Sequence, residues 1–218
     1  MTEARIRGVI FDLDGTLYSL RMLKFWMVRS LWRSVPLLRR LTASRQAIRG
    51  TVFADRDELL AALHGELAAR AGTTIERAAA WYDGEFLPAF VELLARRAAV
   101  RPGLGELLER LRGRGVRTAV VSDFGRVAER LSALRIDTAL FDDLVAAEEH
   151  GVLKPSSVPF MAVARRWAID AAEIVVVGDR EDLDATAAWT AGMEFLKVGD
   201  WQEVSSAIEA RTELGVTT

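Results

Sequence analysis

The 218-residue chain has no cysteine and only two histidines, His64 and His150. The first absence excludes disulfides and thiolate metal sites, and two histidines do not make an imidazole cluster. Any metal site would be built from carboxylates and carbonyls, the ligands of hard ions such as Mg²⁺. No stretch reaches the uncharged length needed to span a bilayer. The charged start, Met1 to Arg7, lacks the pattern of a signal peptide, so a cytoplasmic protein is the expectation. Acid is missing from residues 15–54, where Arg21, Lys24, Arg29, Arg33, Arg39, Arg40, Arg45 and Arg49 all fall. That segment carries +8 and the remainder −10 within a net charge of −2. There is no internal repeat and no low-complexity tail.

What is present is enough for a core: half of the residues are hydrophobic, and the length suits one sizeable domain or a core carrying an insertion. Residues 5–12 read as a strand, β-branched and apolar, with a turn signal after it. From Leu20 to about Val100 no strand pattern occurs. "RDELLAALHGELAARAG" and "TIERAAAWYDGEFLPAFVELLARR" place apolar residues at helical spacing. After Arg101-Pro102-Gly103, strands "VRTAVVSD", "ALFDDLVAA", "EIVVVGD" and "EFLKVGD" alternate with helices of a dozen residues or so. That alternation predicts crossover connections and a doubly wound parallel α/β sheet. Residues 1–18 and 101–218 are then a Rossmann-like core, and 19–100 an inserted helical cap.

Ligands of such sheets bind outside the carboxyl ends of the strands. The first strand ends in "GVIFDLDGTLY", with two carboxylates one residue apart and therefore on one face. Like charges that close call for a cation nearby or a retained proton; the plainer alternative is a strand running into a polar Asp-Gly turn. The other strand ends supply Ser122-Asp123 and Asp179, and Lys154-Pro155 follows the next crossover.

These motifs, "DLDGT" (12–16), Ser122, "KP" (154–155) and "GDREDLDATAAWTAGM" (178–193), resemble in order those of the haloacid dehalogenase-like hydrolases. The resemblance implies that Asp12 is a nucleophile toward phosphorus, forming an aspartyl phosphate, and that Asp14 is the general acid and base. It implies Mg²⁺ held by the Asp12 carboxylate, the Asp14 backbone carbonyl and the Asp179 carboxylate. Ser122 and backbone N–H groups near Leu13, Asp14 and Asp123 would bind the phosphoryl oxygens. Lys154 would offset negative charge, and Asp184 would help place the lysine or the metal's waters. Asp123 departs from the Asn frequent at its position, and Arg180 from a small hydroxyl residue.

An acid at Asp14 favours a phosphate ester, since dehalogenase members lack one there; a phosphomutase would use the same two aspartates. The expected function is thus a Mg²⁺-dependent phosphatase acting on a small, anionic phosphorylated metabolite. No nucleic-acid partner is expected, and the oligomeric state is left open. A rival reading makes "RMLKFWMVRSLWRSVPLLRR" a basic helix on an anionic membrane surface or a partner. Elsewhere, Glu181 and Asp182 read as a solvated turn, and Asp142-Asp143 and Glu148-Glu149 as surface charge. Both histidines read as helix-surface or loop residues, and the six tryptophans as packing in the core or the cap.

Overall fold

The computed structural model describes residues 5–19 and 22–213. Strand β1 (Gly8–Phe11) is fully buried, and β2 (Tyr18–Ser19) pairs antiparallel with β3 (Ala99–Val100). Strands β4 (Arg117–Ser122), β5 (Asp143–Ala146), β6 (Ile174–Gly178) and β7 (Glu194–Lys197) join β1 in a parallel sheet of order β5-β4-β1-β6-β7. β1 is central: Gly8 stands opposite both Arg117 and Ile174, and Phe11 opposite both Val120 and Val177. The inner strands β1 and β6 read as continuous apolar runs because both of their faces are covered. Val9, Phe11, Val120 and Val177 belong to one core cluster, while Ile10, Ala119, Val121 and Val176 belong to the other.

Between β2 and β3 lie helices α1 (Leu23–Ser30), α2 (Val35–Ile48), α3 (Arg56–Ala71), α4 (Ile75–Trp81) and α5 (Leu87–Arg97). The β2–β3 ribbon holds the two ends of this insertion side by side. Helices α6 (Leu104–Gly113), α7 (Val127–Ala133), α8 (Val158–Trp167), α9 (Thr186–Thr190) and α10 (Trp201–Glu213) follow the sheet strands. Caps agree with the boundaries: the Asp55 side chain accepts from the Glu58 amide at the start of α3, and Gly72 ends that helix at φ 67°.

The structure differs from the sequence reading at several places. The first strand ladders only over residues 8–11; before it, Ile6 and Arg7 bond instead to the Arg211 and Glu173 carbonyls. The short strand Ala99–Val100 escapes a periodicity test because two residues carry no period. The basic segment is not one helix. Leu31 breaks it (φ −110°, ψ 34°), and α2 starts afresh with Pro36 in its first turn, where a missing N–H costs nothing. Arg21 of that segment lies outside the described residues. α10 buries Trp201, Val204 and Ile208, a helical spacing that was open to reading.

Four charge and packing expectations are overturned. Glu148 is fully buried, accepting from the Tyr82 hydroxyl at 3.2 Å and pairing with Arg56 at 3.5 Å. Asp143 is buried too, held by the Trp167 indole N–H at 2.6 Å and by Arg166. His64 packs inside beside Tyr82, and burial lowers its pKa. Trp81 and Trp201 are core residues as expected, but Trp32 and Trp189 are exposed. Between α4 and α5 the helix widens by one turn at Tyr82–Phe86. Pro88 lies just beyond, unable to donate to the preceding turn. Among the described residues, no helix is long and apolar enough to cross a membrane.

Candidate active site

Asp12 follows β1 directly, its amide bonded to the Val177 carbonyl at 2.8 Å, so the central strand's register fixes where the carboxylate stands. Lys154 is 2% exposed, and its Nζ donates to Asp12 Oδ1 at 2.6 Å and to Asp184 Oδ1 at 2.7 Å. Thr16 Oγ1 donates to the other Asp12 oxygen at 3.0 Å. The cation that two adjacent carboxylates require is therefore this buried lysine, along with a second cation described below. Burial pushes the Asp12 carboxyl up to about 7, with Lys154 opposing and Asp184 and Asp14 adding to the rise. Burial alone would lower the lysine's pKa, but Asp12 and Asp184 overcome it and keep the ammonium protonated.

Two glycines make this crowding possible. Gly15 turns the loop at φ 92°, and a Cβ there would lie 2.5 Å from Asp179 Oδ2. A Cβ on Gly178 would lie 2.5 Å from the Asp184 side chain. One oxygen each from Asp12, Asp179 and Asp184 consequently lies within 4.8 Å of the others. Asp179 is half-buried with its carboxyl raised, by burial first and by Asp184 next. An all-oxygen set of crowded, partly desolvated carboxylates suits a hard divalent cation, whose charge would relieve their repulsion. The Asp14 carboxylate stands outside this group.

Asp14 turns instead to Arg130, which no reading of the motifs had singled out. The Arg130 side chain is fully buried, with Nη1 at 2.7 and 2.9 Å from the two Asp14 oxygens. Its Nη2 donates to Ser122 Oγ at 2.6 Å and to the Phe124 carbonyl at 3.0 Å. Ser122 Oγ in turn donates to Asp14 Oδ2 at 3.1 Å, and the Tyr18 hydroxyl donates to Asp14 Oδ1. The signal in the sequence was an arginine occupying a core position: Val127, Arg130, Leu131 and Leu134 share the buried face of the segment around α7.

Asp123 does not add a bare charge. Its carboxylate accepts from Arg49 at 2.8 Å and from the Lys154 amide at 2.8 Å, and lies 3.6 Å from Arg45. Burial works against its ionised form, but Arg45, Arg49 and Lys154 overcome that and hold its pKa below the usual range. Arg45 also donates to the Asp123 carbonyl and the Tyr82 hydroxyl, so α2 is tied to the loop after β4. Glu181 and Asp182 are exposed as expected and Arg180 is exposed too, Arg180 pairing with Asp182 and Glu181 with Lys197. Asp12, Asp14, Asp123, Lys154, Asp179 and Asp184, with Arg49 and Phe124, line one cavity of about 150 Å³ at the carboxyl edge of the sheet. Ser122 lies beneath it, bonded to Asp14.

Comparison with known proteins agrees with this geometry. A glyceraldehyde 3-phosphate phosphatase of Methanocaldococcus jannaschii is 25% identical over 212 residues, covering 88% of this chain and 85% of the relative. One of the same name from Pyrococcus abyssi is 33% identical over 95 residues, covering 43% of this chain and 40% of the relative. In fold, the chain resembles a 2-haloacid dehalogenase of Pseudomonas syringae (TM-score 0.62, 22% identity, 94% of this chain and 99% of that one). It also resembles an L-2-haloacid dehalogenase of Xanthobacter autotrophicus (TM-score 0.57, 17% identity, 95% and 83%). Residues 6–192 match the family model of the haloacid dehalogenase-like hydrolases, and the chain belongs to that family of enzymes.

Proposed function

We propose that this enzyme is a Mg²⁺-dependent phosphoric monoester hydrolase working through an aspartyl phosphate on Asp12. The observation that carries this reading is the second carboxylate, Asp14, set beside Asp12 and held by a buried arginine. Displacing a halide needs no proton donor, whereas expelling an alkoxide does. The relatives named for glyceraldehyde 3-phosphate support the same class.

An Asp12 oxygen attacks phosphorus while the bond to the leaving oxygen breaks, and Asp14, which must carry a proton at this step although Arg130, Ser122 and Tyr18 all donate to it at rest, supplies that oxygen's proton. Asp14 then takes a proton from water as the water attacks phosphorus, which frees inorganic phosphate and restores Asp12. Lys154 offers a fixed positive charge to the phosphoryl oxygens, and Ser122 would offer its hydroxyl only on releasing Asp14. Mg²⁺, held by Asp12, Asp179 and, as the resemblance implies, the Asp14 carbonyl, would neutralise charge on the transferred group, with Asp184 placing the lysine. Residues 19–100 act as a cap over this edge of the sheet.

The test is phosphate release from a panel of monoesters with Mg²⁺. Turnover should vanish in EDTA and return with added Mg²⁺; metal-independent turnover, or none on any ester, overturns the reading. Phosphoryl exchange within a sugar bisphosphate without net release would make the enzyme a phosphomutase.

Arg130 gives a second prediction. If it positions Asp14, Arg130→Met should lower kcat on alkyl phosphates by up to the order of 10²-fold, within the range assigned to acid–base catalysis. Nitrophenyl phosphate should suffer much less, because its leaving group needs little protonation. Equal losses on both substrates would reduce Arg130 to a packing role.

A further inference from the structure

The catalytic cavity, at about 150 Å³, falls below the roughly 300–1,000 Å³ of ligand pockets, so a long leaving group would extend beyond it. A second, more apolar cavity of about 490 Å³ opens between α1 and α2, within the size range of ligand pockets. Met27, Val28, Leu38, Leu41, Phe86 and Phe124 line it, with Arg39 and Thr42 as its polar members.

Phe124 borders both spaces, and its backbone belongs to the phosphate end: its amide donates to Ser122 Oγ at 3.3 Å and its carbonyl accepts from Arg130. Exposed apolar residues lie on the neighbouring surface, which shares Val28 with the cavity. Met22, Phe25, Val28 and Trp32, spaced three, three and four residues apart, are 64%, 52%, 40% and 66% exposed. They account for half of the eight large exposed hydrophobic residues among those described. Val28 belongs to both the cavity and this stripe. Among the described residues, Arg45 and Arg49 of the insertion reach the catalytic site and are already paired with Asp123, and the cation at the second cavity is Arg39 on its wall.

The geometry points to a phosphate monoester whose leaving group carries a hydrocarbon chain, the phosphate at Asp12 and the chain in the α1–α2 cavity past Phe124. This rests on the phosphatase reading and narrows its substrate class from an anionic metabolite to an amphiphile.

The experiment is a series of n-alkyl phosphates, ethyl to octyl, kept below their aggregation limit and assayed with Mg²⁺. kcat/KM should climb by about two- to fourfold per methylene until the cavity is filled, as expected for transfer of each CH₂ from water. Val28→Asn and Leu38→Asn, both on the cavity wall and outside the catalytic cluster, should flatten the series while leaving ethyl phosphate turnover unchanged. Hydrolysis of ethyl phosphate with no chain-length dependence overturns the cavity's role and leaves the phosphatase reading intact. A climb that both variants retain also overturns it. No hydrolysis of any ester removes both readings together. A long-chain phosphate released faster from vesicles than from mixed micelles supports a bilayer-borne amphiphile, with the stripe at the membrane surface. The reverse order supports a dispersed one.

Discussion

Asp12→Asn is expected to leave no measurable phosphate release, a fall on the order of 10⁴-fold or more, as when a covalent nucleophile is removed. The substitution keeps the shape of the side chain. Its amide oxygen can still accept from Lys154 or Thr16, the two donors that hold the carboxylate at 2.6 and 3.0 Å. It removes the electron pair that attacks phosphorus. Folding should not suffer in metal-free buffer at neutral pH, because burial already pushes the Asp12 carboxyl up to about 7, which means its charge is unwelcome there. The variant should therefore melt at or above the wild-type temperature while its Mg²⁺ affinity falls. Activity within tenfold of wild type, in protein that melts cooperatively, would assign the nucleophile elsewhere. Asp14→Asn should be milder on nitrophenyl phosphate than on alkyl phosphates, because only the second kind of leaving group needs the proton.

The parts of the site that could be read from the sequence are those that topology assembles. Asp12, Ser122 and Asp179 stand at the ends of neighbouring parallel strands, so an apolar run followed by a polar residue was enough to locate each. Arg130 was hidden because its partners, Asp14 and Ser122, lie 116 and 8 residues away, and a helix pattern shows a buried position without showing what it bonds. The burial of Glu148 and Asp143 is hidden for the same reason. A carboxylate is buried only where a donor meets it, and Tyr82 and Trp167 come from elsewhere in the chain. In the basic segment the difference is one of geometry rather than charge. A single helix would put Arg29 and Arg33 on one side, but the break at Leu31 and the new start at Pro36 place them on separate elements.

Lys154→Met is expected to destabilise the metal-free protein by about 3–5 kcal/mol at pH 8, the cost of breaking a buried ion pair from one side. For a chain of this size that is a fall of about 6–20 °C in Tm. The methionine keeps most of the stem's packing, so the loss is electrostatic. Asp12 and Asp184, 7% and 1% exposed, would face each other without the ammonium that now sits 2.6 and 2.7 Å from them. The pH dependence follows from the direction of the Asp12 shift. With its folded pKa raised to about 7 above an ordinary 3.8, the folded state holds a proton that the unfolded chain has already released. Stability from this group is thus greatest in acid and is lost as pH rises from about 4 through about 7, and removing the lysine enlarges that loss. The Tm gap between wild type and Lys154→Met should therefore narrow at pH 5 and widen at pH 8. Adding Asp184→Asn to Lys154→Met removes one of the stranded charges and should recover part of the stability, a coupling expected of residues in direct contact. A gap equal at both pH values, or a double variant less stable than the single, would show that Lys154 acts through its packing and not through its charge.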